Sequence, residues 1–357
     1  MRTATTVPSF FSHLSSRYDV SRFWLAHRGV QLLHRRFMPE EAYELGLFSP
    51  TVLGKQLDDY LSKSRLKRIQ GSLNPEDKIH LVEDKSTFYF SCLEWGIAIP
   101  RLYGVVHPDR PGWAFTNELP ASQEEWEEFI RQDAPGGFVT KPLWGVYGRG
   151  VSVFRRAGNA FVDHLGELWN ADQLVQHLRT DRGYLVQERL RNHASLEQLS
   201  GTHALQTVRV ITSMGRGGLQ IIHAHIKIIV GDNIIDNNER GKTGNLEAVV
   251  AVNDGTLGPG RRYARNGSGM MTFEVHPDSG AVIEGVRVPL WNGVRELVSS
   301  AASRFMPLRT VGWDVAVTDD GPRLIEGNAW YDPPPVVQGV GIDAIVKALR
   351  CDLEDWR

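Results

Sequence analysis

The stretch Val311-Gly312-Trp313-Asp314-Val315-Ala316-Val317-Thr318-Asp319-Asp320-Gly321-Pro322-Arg323-Leu324-Ile325-Glu326-Gly327-Asn328 decides the fold. Two strand-like runs flank Asp319-Asp320-Gly321, which predicts a β-hairpin with a three-residue loop and Gly in the left-handed position. Such a loop pairs Thr318 with Pro322, and therefore Asp314 with Glu326. Side chains alternate between faces, so Asp314 and Glu326 point the same way, with Asn328 two residues further along that face. Three oxygen donors converging on one spot fit a hard cation, above all Mg²⁺ bound alongside phosphates. The other reading is that the acids face solvent or share a proton. A one-residue slip would separate them.

Upstream, 207–212 and 219–230 alternate as strands, followed by a polar loop over 231–244, strands over 246–252 and 271–275, and a helix over 291–305. Arg209 lies between Val208 and Val210, where a strand-held cation can stabilise charge on a transferring phosphate. A structural salt bridge is the alternative. His223, His225 and Lys227 share one strand face, and two His at that spacing can ligate a metal, although no third ligand is evident.

The first half reads as a helix over 85–96, a strand over 97–106 broken by Pro100, an acidic helix over 122–132 and a strand over 137–142 ending in Lys141-Pro142. A turn with Gly145, Gly148 and Gly150 leads to a strand over 151–154, then a helix over 169–178 and a strand over 184–188. A Lys before a glycine-rich turn between two strands can clamp phosphates, because backbone N–H groups approach the oxygens closely. It is neither a Walker A nor a Rossmann fingerprint, since no helix follows the glycines. A surface Lys on a glycine-rich hairpin is the alternative. Trp144 and Tyr147 in that loop are placed to cover a nucleotide. Gln187-Glu188-Arg189-Leu190 leaves an apolar strand and can offer backbone and acids to adenine and ribose, or is an ordinary strand exit.

Residues 1–75 read as helical and locally basic. Phe23, Leu25, Val30, Leu32, Leu33 and Phe37 give 20–38 a helical apolar spacing, and Pro39-Glu40-Glu41 opens a second helix. Arg65, Lys67 and Arg68 are a solvated face or a dock for an anionic substrate or carrier. Helices mixed with hairpins argue for an α+β protein and against a doubly wound parallel sheet.

Composition narrows the function classes. The 357 residues carry 40 basic and 42 acidic side chains, a net charge of −2, so no whole-chain basic field marks a nucleic-acid binder. Two Cys, Cys92 and Cys351, exclude a disulfide scaffold and a Cys-built zinc site. No run of about 18 apolar residues predicts a membrane span. The Ser/Thr-rich first 17 residues lack a secretory core, so a frayed start and a cytoplasmic location are expected.

Together these pieces resemble the sugar-transfer-associated group of the ATP-grasp superfamily. The resemblance runs from about Glu83 to Asn328. It rests on Asp84-Lys85 with Gly96-Ile97-Ala98-Ile99-Pro100, Val139-Thr140-Lys141-Pro142 with Gly145, Gly148 and Gly150, Val186-Gln187-Glu188, Thr207-Val208-Arg209-Val210, Asp236-Asn237 before Gly241 and Gly244, and the two strands of the C-terminal hairpin. Lys227 departs from it, standing where the group carries Arg.

The resemblance implies an ATP-grasp fold, two α+β subdomains over 81–188 and 189–357 clasping ATP, with a helical N-terminal extension over 1–80. It implies a carboxylate–amine ligase acting through an acyl phosphate; a phosphotransferase or a non-catalytic ATP-binding regulator is the alternative. Lys85 and Lys141 would hold the α- and β-phosphates, and Gly145, Gly148 and Gly150 the β- and γ-phosphates. Gln187, Glu188 and Leu190 would flank the adenine. Asp314, Glu326 and Asn328 would hold one or two Mg²⁺, and Arg209 with Lys227 would serve catalysis. The expected partners are a small-molecule carboxylate and an amine, such as an aminosugar or natural-product amine.

Overall fold

The computed structural model describes residues 7–107, 113–114, 128, 136–145, 150–178, 183–264 and 266–354. Six helices precede the first long strand: α1 (Val7–Tyr18), α2 (Arg22–His34), α3 (Pro39–Glu44), α4 (Lys63–Leu73), α5 (His80–Glu83) and α6 (Lys85–Glu94). Helix α2 starts where Ser21 accepts the Trp24 N–H, and α6 where Asp84 accepts the Thr87 N–H at 2.8 Å. Such a cap is worth about 1 kcal/mol, and here it fixes Lys85 as the first residue of its helix. The apolar spacing over 20–38 does not form one buried stripe. Leu25, Leu32 and Phe37 are buried, whereas Phe23, Val30 and Leu33 face solvent.

The first sheet has strand order β2-β1-β7-β3-β4-β5-β6. Its strands are β1 (Leu102–Val106), β2 (Trp113–Ala114), β3 (Gly137–Pro142), β4 (Ser152–Ala157), β5 (Ala160–Val162), β6 (Leu168–Trp169) and β7 (Tyr184–Glu188). Helix α7 (Ala171–Leu178) covers it, burying Leu174, Val175 and Leu178 against Phe138, Phe154 and Phe161. The acidic helix expected over 122–132 lies, apart from Glu128, outside the described residues.

Helix α8 (Ala194–Ser200) leads to the second sheet, ordered β12-β11-β10-β9-β8-β13-β14. It contains β8 (Thr207–Gly215), β9 (Gly218–Ile228), β10 (Leu246–Val250), β11 (Leu257–Tyr263), β12 (Met270–Phe273), β13 (Thr310–Thr318) and β14 (Gly321–Asn328). All pairings are antiparallel, so the fold is α+β as expected. One face is apolar: Val208, Val210, Ile226, Ala248, Trp313 and Val315 pack on α9 (Trp291–Arg304). Trp313 is fully buried, and its indole N–H donates to Thr212 Oγ1 at 2.8 Å. Strict alternation then turns Arg209, His225, Lys227, Glu247, Asp314 and Glu326 to the opposite face. Helix α10 (Ile342–Glu354) packs with α4 beyond that face, around Ile211 and Tyr331. Among the described residues no helix is long and apolar enough to cross a membrane.

The C-terminal hairpin corrects one expectation. Thr318 pairs with Gly321, not Pro322, so the turn is the two-residue Asp319-Asp320. Asp314 nevertheless faces Glu326, because a bulge inserts Ile325 between Leu324 and Glu326 and shifts the ladder back by one residue. Gly327 is required here by close approach: a Cβ would lie 2.9 Å from the Trp313 ring and 3.1 Å from Val82.

Candidate active site

The polar face of the second sheet and one face of the first, at β7, β3 and β4, enclose a cleft of about 1240 Å³. Of the residues singled out from sequence, Lys85, Lys141, Gly145, Gln187, Glu188 and Leu190 line it from the first side. Arg209, Lys227, Asp314, Glu326 and Asn328 line it from the second. The other two glycines of the turn are not among them. Gly148 lies outside the described residues. Gly150 is not on the cleft wall: its φ is +79°, and a Cβ would sit 2.9 Å from Pro142 Cγ, so it serves the close packing of the turn.

Asp314 is the centre of the second wall. Arg209 donates to it twice, from Nε to Oδ1 at 2.5 Å and from Nη2 to Oδ2 at 2.9 Å, and Lys227 Nζ donates to Oδ2 at 2.9 Å. The pairing follows from register, since Asp314 stands opposite Arg209 on β8 and Glu326 on β14. Burial alone would raise the Asp314 carboxyl; the charge of Arg209 and then of Lys227 override it and hold it well below the usual carboxylate range. Burial likewise opposes the charge on Lys227, but Asp236 and Asp314 raise its pKa. The salt-bridge reading of Arg209 is therefore what the structure contains, although Nη1 of Arg209 and two protons of Lys227 remain as donors.

The donor set fits a hard cation. Asn328 Nδ2 donates to Gly312 O at 3.3 Å and Glu326 Oε1 at 3.4 Å, which leaves its amide oxygen as an acceptor. Glu326, Asn328 and the remaining lone pair of Asp314 supply only oxygen. Among the described residues no group of three or more His, Cys, Asp or Glu could hold a metal. A short ligand set of this kind suits Mg²⁺, which keeps waters and substrate phosphates in its shell.

On the first wall the cations are differently placed. Lys85 Nζ donates to the Gly145 carbonyl at 3.0 Å, a neutral partner. Burial pushes Lys141 down to about 8, with Glu326 only partly offsetting it. Gln187 is buried, and its Oε1 accepts the Tyr89 hydroxyl at 2.7 Å; the same hydroxyl lies 3.2 Å from Ile325 O. Glu188 accepts the Arg101 N–H at 2.8 Å. Both side chains thus hold the end of β7 in place, and the chain at Arg189 and Leu190 continues along the cleft.

Two cleft acids were not assigned to the site from sequence: Asp236 entered only through the Asp236-Asn237 loop motif, and Glu247 was not singled out. Asp236 accepts Thr207 N–H at 2.8 Å and stands 4.0 Å from Lys227. Glu247 pairs with Lys227 in register and is 5% exposed. Asn238 donates to its Oε1 at 3.3 Å, while Oε2 has no hydrogen-bond partner and is 3.9 Å from His225 Nε2. Burial pushes Glu247 up to about 7. Its signal was an acid in the otherwise apolar run Leu246–Val250. Among the described residues the His223–His225 pair gains no third metal ligand: His223 Nε2 and His225 Nδ1 share a hydrogen bond at 3.0 Å, and burial lowers both rings, His223 to about 3. The helical region contributes Glu41, Glu44, Lys63 and Lys67, with Lys63 bound to Asp332 at 2.7 Å.

No curated protein matches the sequence. Among solved structures, phosphoribosylamine–glycine ligase from Thermotoga maritima is similar, at 14% identity and TM-score 0.46 over 82% of this chain and 60% of that one. D-alanyl-alanine synthetase A from Vibrio cholerae gives 13% identity and TM-score 0.42 over 77% and 66%. L-amino acid ligase from Bacillus licheniformis gives 11% and 0.35 over 71% and 41%, so the chain spans less than two thirds of each of these proteins. The profile described as sugar-transfer associated ATP-grasp matches residues 64–348, four fifths of the sequence and both cleft walls. The chain belongs to the sugar-transfer associated ATP-grasp family.

Proposed function

We propose that the chain is an ATP- and Mg²⁺-dependent carboxylate–amine ligase that forms an acyl phosphate and releases ADP and phosphate. On this reading 81–188 and 189–357 clasp the nucleotide, and 1–80 is an extension lining the far end of the cleft. The observation that carries it is the opposition of two walls: Lys85 and Lys141 with no carboxylate at hydrogen-bond distance among the described residues, facing Arg209 and Lys227 locked by Asp314 beside the oxygens of Glu326 and Asn328.

A triphosphate laid between the walls gives Lys141 and Lys85 the anion they lack. Glu326 and Asn328, with Asp314, would hold Mg²⁺, which offsets charge on the transferring phosphoryl group. The free donors of Arg209 and Lys227 would orient the substrate carboxylate. Its oxygen attacks the γ-phosphorus, the bond to ADP breaks, and the same donors then stabilise the acyl phosphate. The amine attacks the carbonyl carbon, phosphate leaves, and Glu247 Oε2 is the acceptor at hand for the amine proton. The family's association with sugar transfer points to an aminosugar or related amine as acceptor.

Incubation with MgATP, a panel of carboxylates and hydroxylamine as a general nucleophile tests the reading. The expected products are ADP, phosphate and a hydroxamate, with Glu326→Ala lowering turnover at least about a hundredfold. A stable phosphorylated product with no hydroxamate would instead mark a kinase. Turnover unchanged by Glu326→Ala would remove the metal assignment.

A further inference from the structure

The N-terminal region carries a second concave surface, facing away from the cleft. Helix α4 stands between the two. Lys63, Lys67 and Gln70 line the cleft, whereas Arg65, Arg68, Ile69 and Ser72 line an outer pocket of about 510 Å³. At 3.6 residues per turn these sets occupy opposite sides of one helix. His34, Arg35 and Arg36 at the end of α2 and Arg350 on α10 complete the outer pocket.

Five guanidinium groups therefore meet on a chain whose net charge is −2. Asp58 answers with one carboxylate, bound to Arg35 at 2.8 Å. Arg65 shows the cost: burial, and then the charge of Arg350, push its guanidinium down. A multiply charged anion would relieve that repulsion, and a guanidinium fork matches phosphate oxygens bidentately.

The adjoining side of α2 is apolar and solvent-facing. Phe23, Val30 and Leu33 are 85%, 65% and 64% exposed. With His27 and His34 they fall at i, i+4, i+7, i+10 and i+11, on one side of the helix. His34 is also a wall of the arginine pocket, so the apolar and basic surfaces are continuous. A soluble polyanion would leave the apolar side chains without a role. A second copy docked across a two-fold axis on this face would set arginines against arginines.

We propose that this outer face docks on a membrane surface bearing anionic lipid headgroups, with the arginine pocket taking phosphates and Phe23, Val30 and Leu33 entering the headgroup boundary. An apolar helix side flanked by cations is the chemistry such a surface selects. The docked side is one helix away from the cleft, so α4 would hold the cleft at a fixed height above the lipid.

Sedimentation of the full chain with vesicles of phosphatidylglycerol and phosphatidylcholine, against phosphatidylcholine alone, tests this. The chain is expected to partition onto the anionic vesicles only. Partition should fall about tenfold or more in Arg65→Glu/Arg68→Glu and in Phe23→Ser/Val30→Ser, with melting and ATP binding unchanged. It should also weaken as salt rises from about 0.1 to about 1 M and the screening length shrinks to about 3 Å. No partition, or partition that both variants retain, overturns the proposal. So does binding of inorganic pyrophosphate at the pocket without vesicle binding, which marks a soluble anion site. Self-association lost in Phe23→Ser/Val30→Ser without vesicle binding also overturns it, and marks a second copy.

Discussion

On the wall built by β8, β9, β13 and β14, Arg209, Lys227, Asp236 and Asp314 neutralise one another within a few ångströms. On the wall built by α6, β3 and β7, Lys85 meets only a carbonyl among the described residues, and Lys141 is pushed down to about 8 by burial. One wall is paired within itself; on the other, under the proposed function, the nucleotide would supply the anion. The difference teaches how a site can be rigid and still gain affinity. Charges fixed against each other give geometry, whereas a desolvated, unanswered cation gives attraction.

The contrast breaks most sharply at Asp314. Asp314→Ala strips Arg209 and Lys227 of their hydrogen-bonded carboxylate in a nearly closed setting and should destabilise the chain by about 3–5 kcal/mol in denaturant unfolding. A loss under about 1 kcal/mol would mean that this wall does not depend on its own pairing. Next is Glu247, a buried acid on that wall with an idle oxygen. As a base it makes the rate rise with pH through about 7 and level off above it. Glu247→Gln should abolish that rise and cost at least about a hundredfold in kcat, read from a pH–rate profile.

The first wall gives a smaller effect of opposite kind. Lys141 sits at about 8 in the free chain, and bound phosphates favour its charged form. ATP affinity should therefore fall about tenfold from pH 7 to pH 9, with proton uptake on binding, measurable by calorimetry in two buffers. The free chain itself should become more stable over that range, because the unfolded lysine keeps its proton to higher pH. Lys141→Met should flatten both trends and weaken ATP binding by about 1.4 kcal/mol. The smallest effect belongs to the tie between the walls: Tyr89→Phe, losing the hydroxyl bridge from Gln187 to Ile325, should cost about 1 kcal/mol of unfolding free energy.

The apolar alternation around Asp314 and Arg209 was legible because a sheet with one packed face imposes period two on its strands. The hairpin register came out right through two offsetting features, a shorter turn and the bulge at Ile325, neither of which local pattern can reveal. β11 went unseen because Leu257–Tyr263 carries two glycines and a proline and lacks alternation. The exposure of Phe23 and Val30 was illegible for another reason: spacing assigns residues to helix sides but does not say which sides find a partner. Glu247 was missed as a site residue because an isolated acid carries no spacing signal until the sheet brings it beside Lys227, and Asp236, noted only in its loop motif, meets Lys227 only through the fold.

The bulge has one mechanical outcome. Ile325, set outside the regular ladder, turns its carbonyl to the Tyr89 hydroxyl, and that carbonyl shares a rigid peptide plane with the Glu326 nitrogen. A displacement of Tyr89 would act on this plane and, through it, on the carboxylate next door. The seat of α6 and the direction of the Glu326 side chain are thereby linked through a single amide.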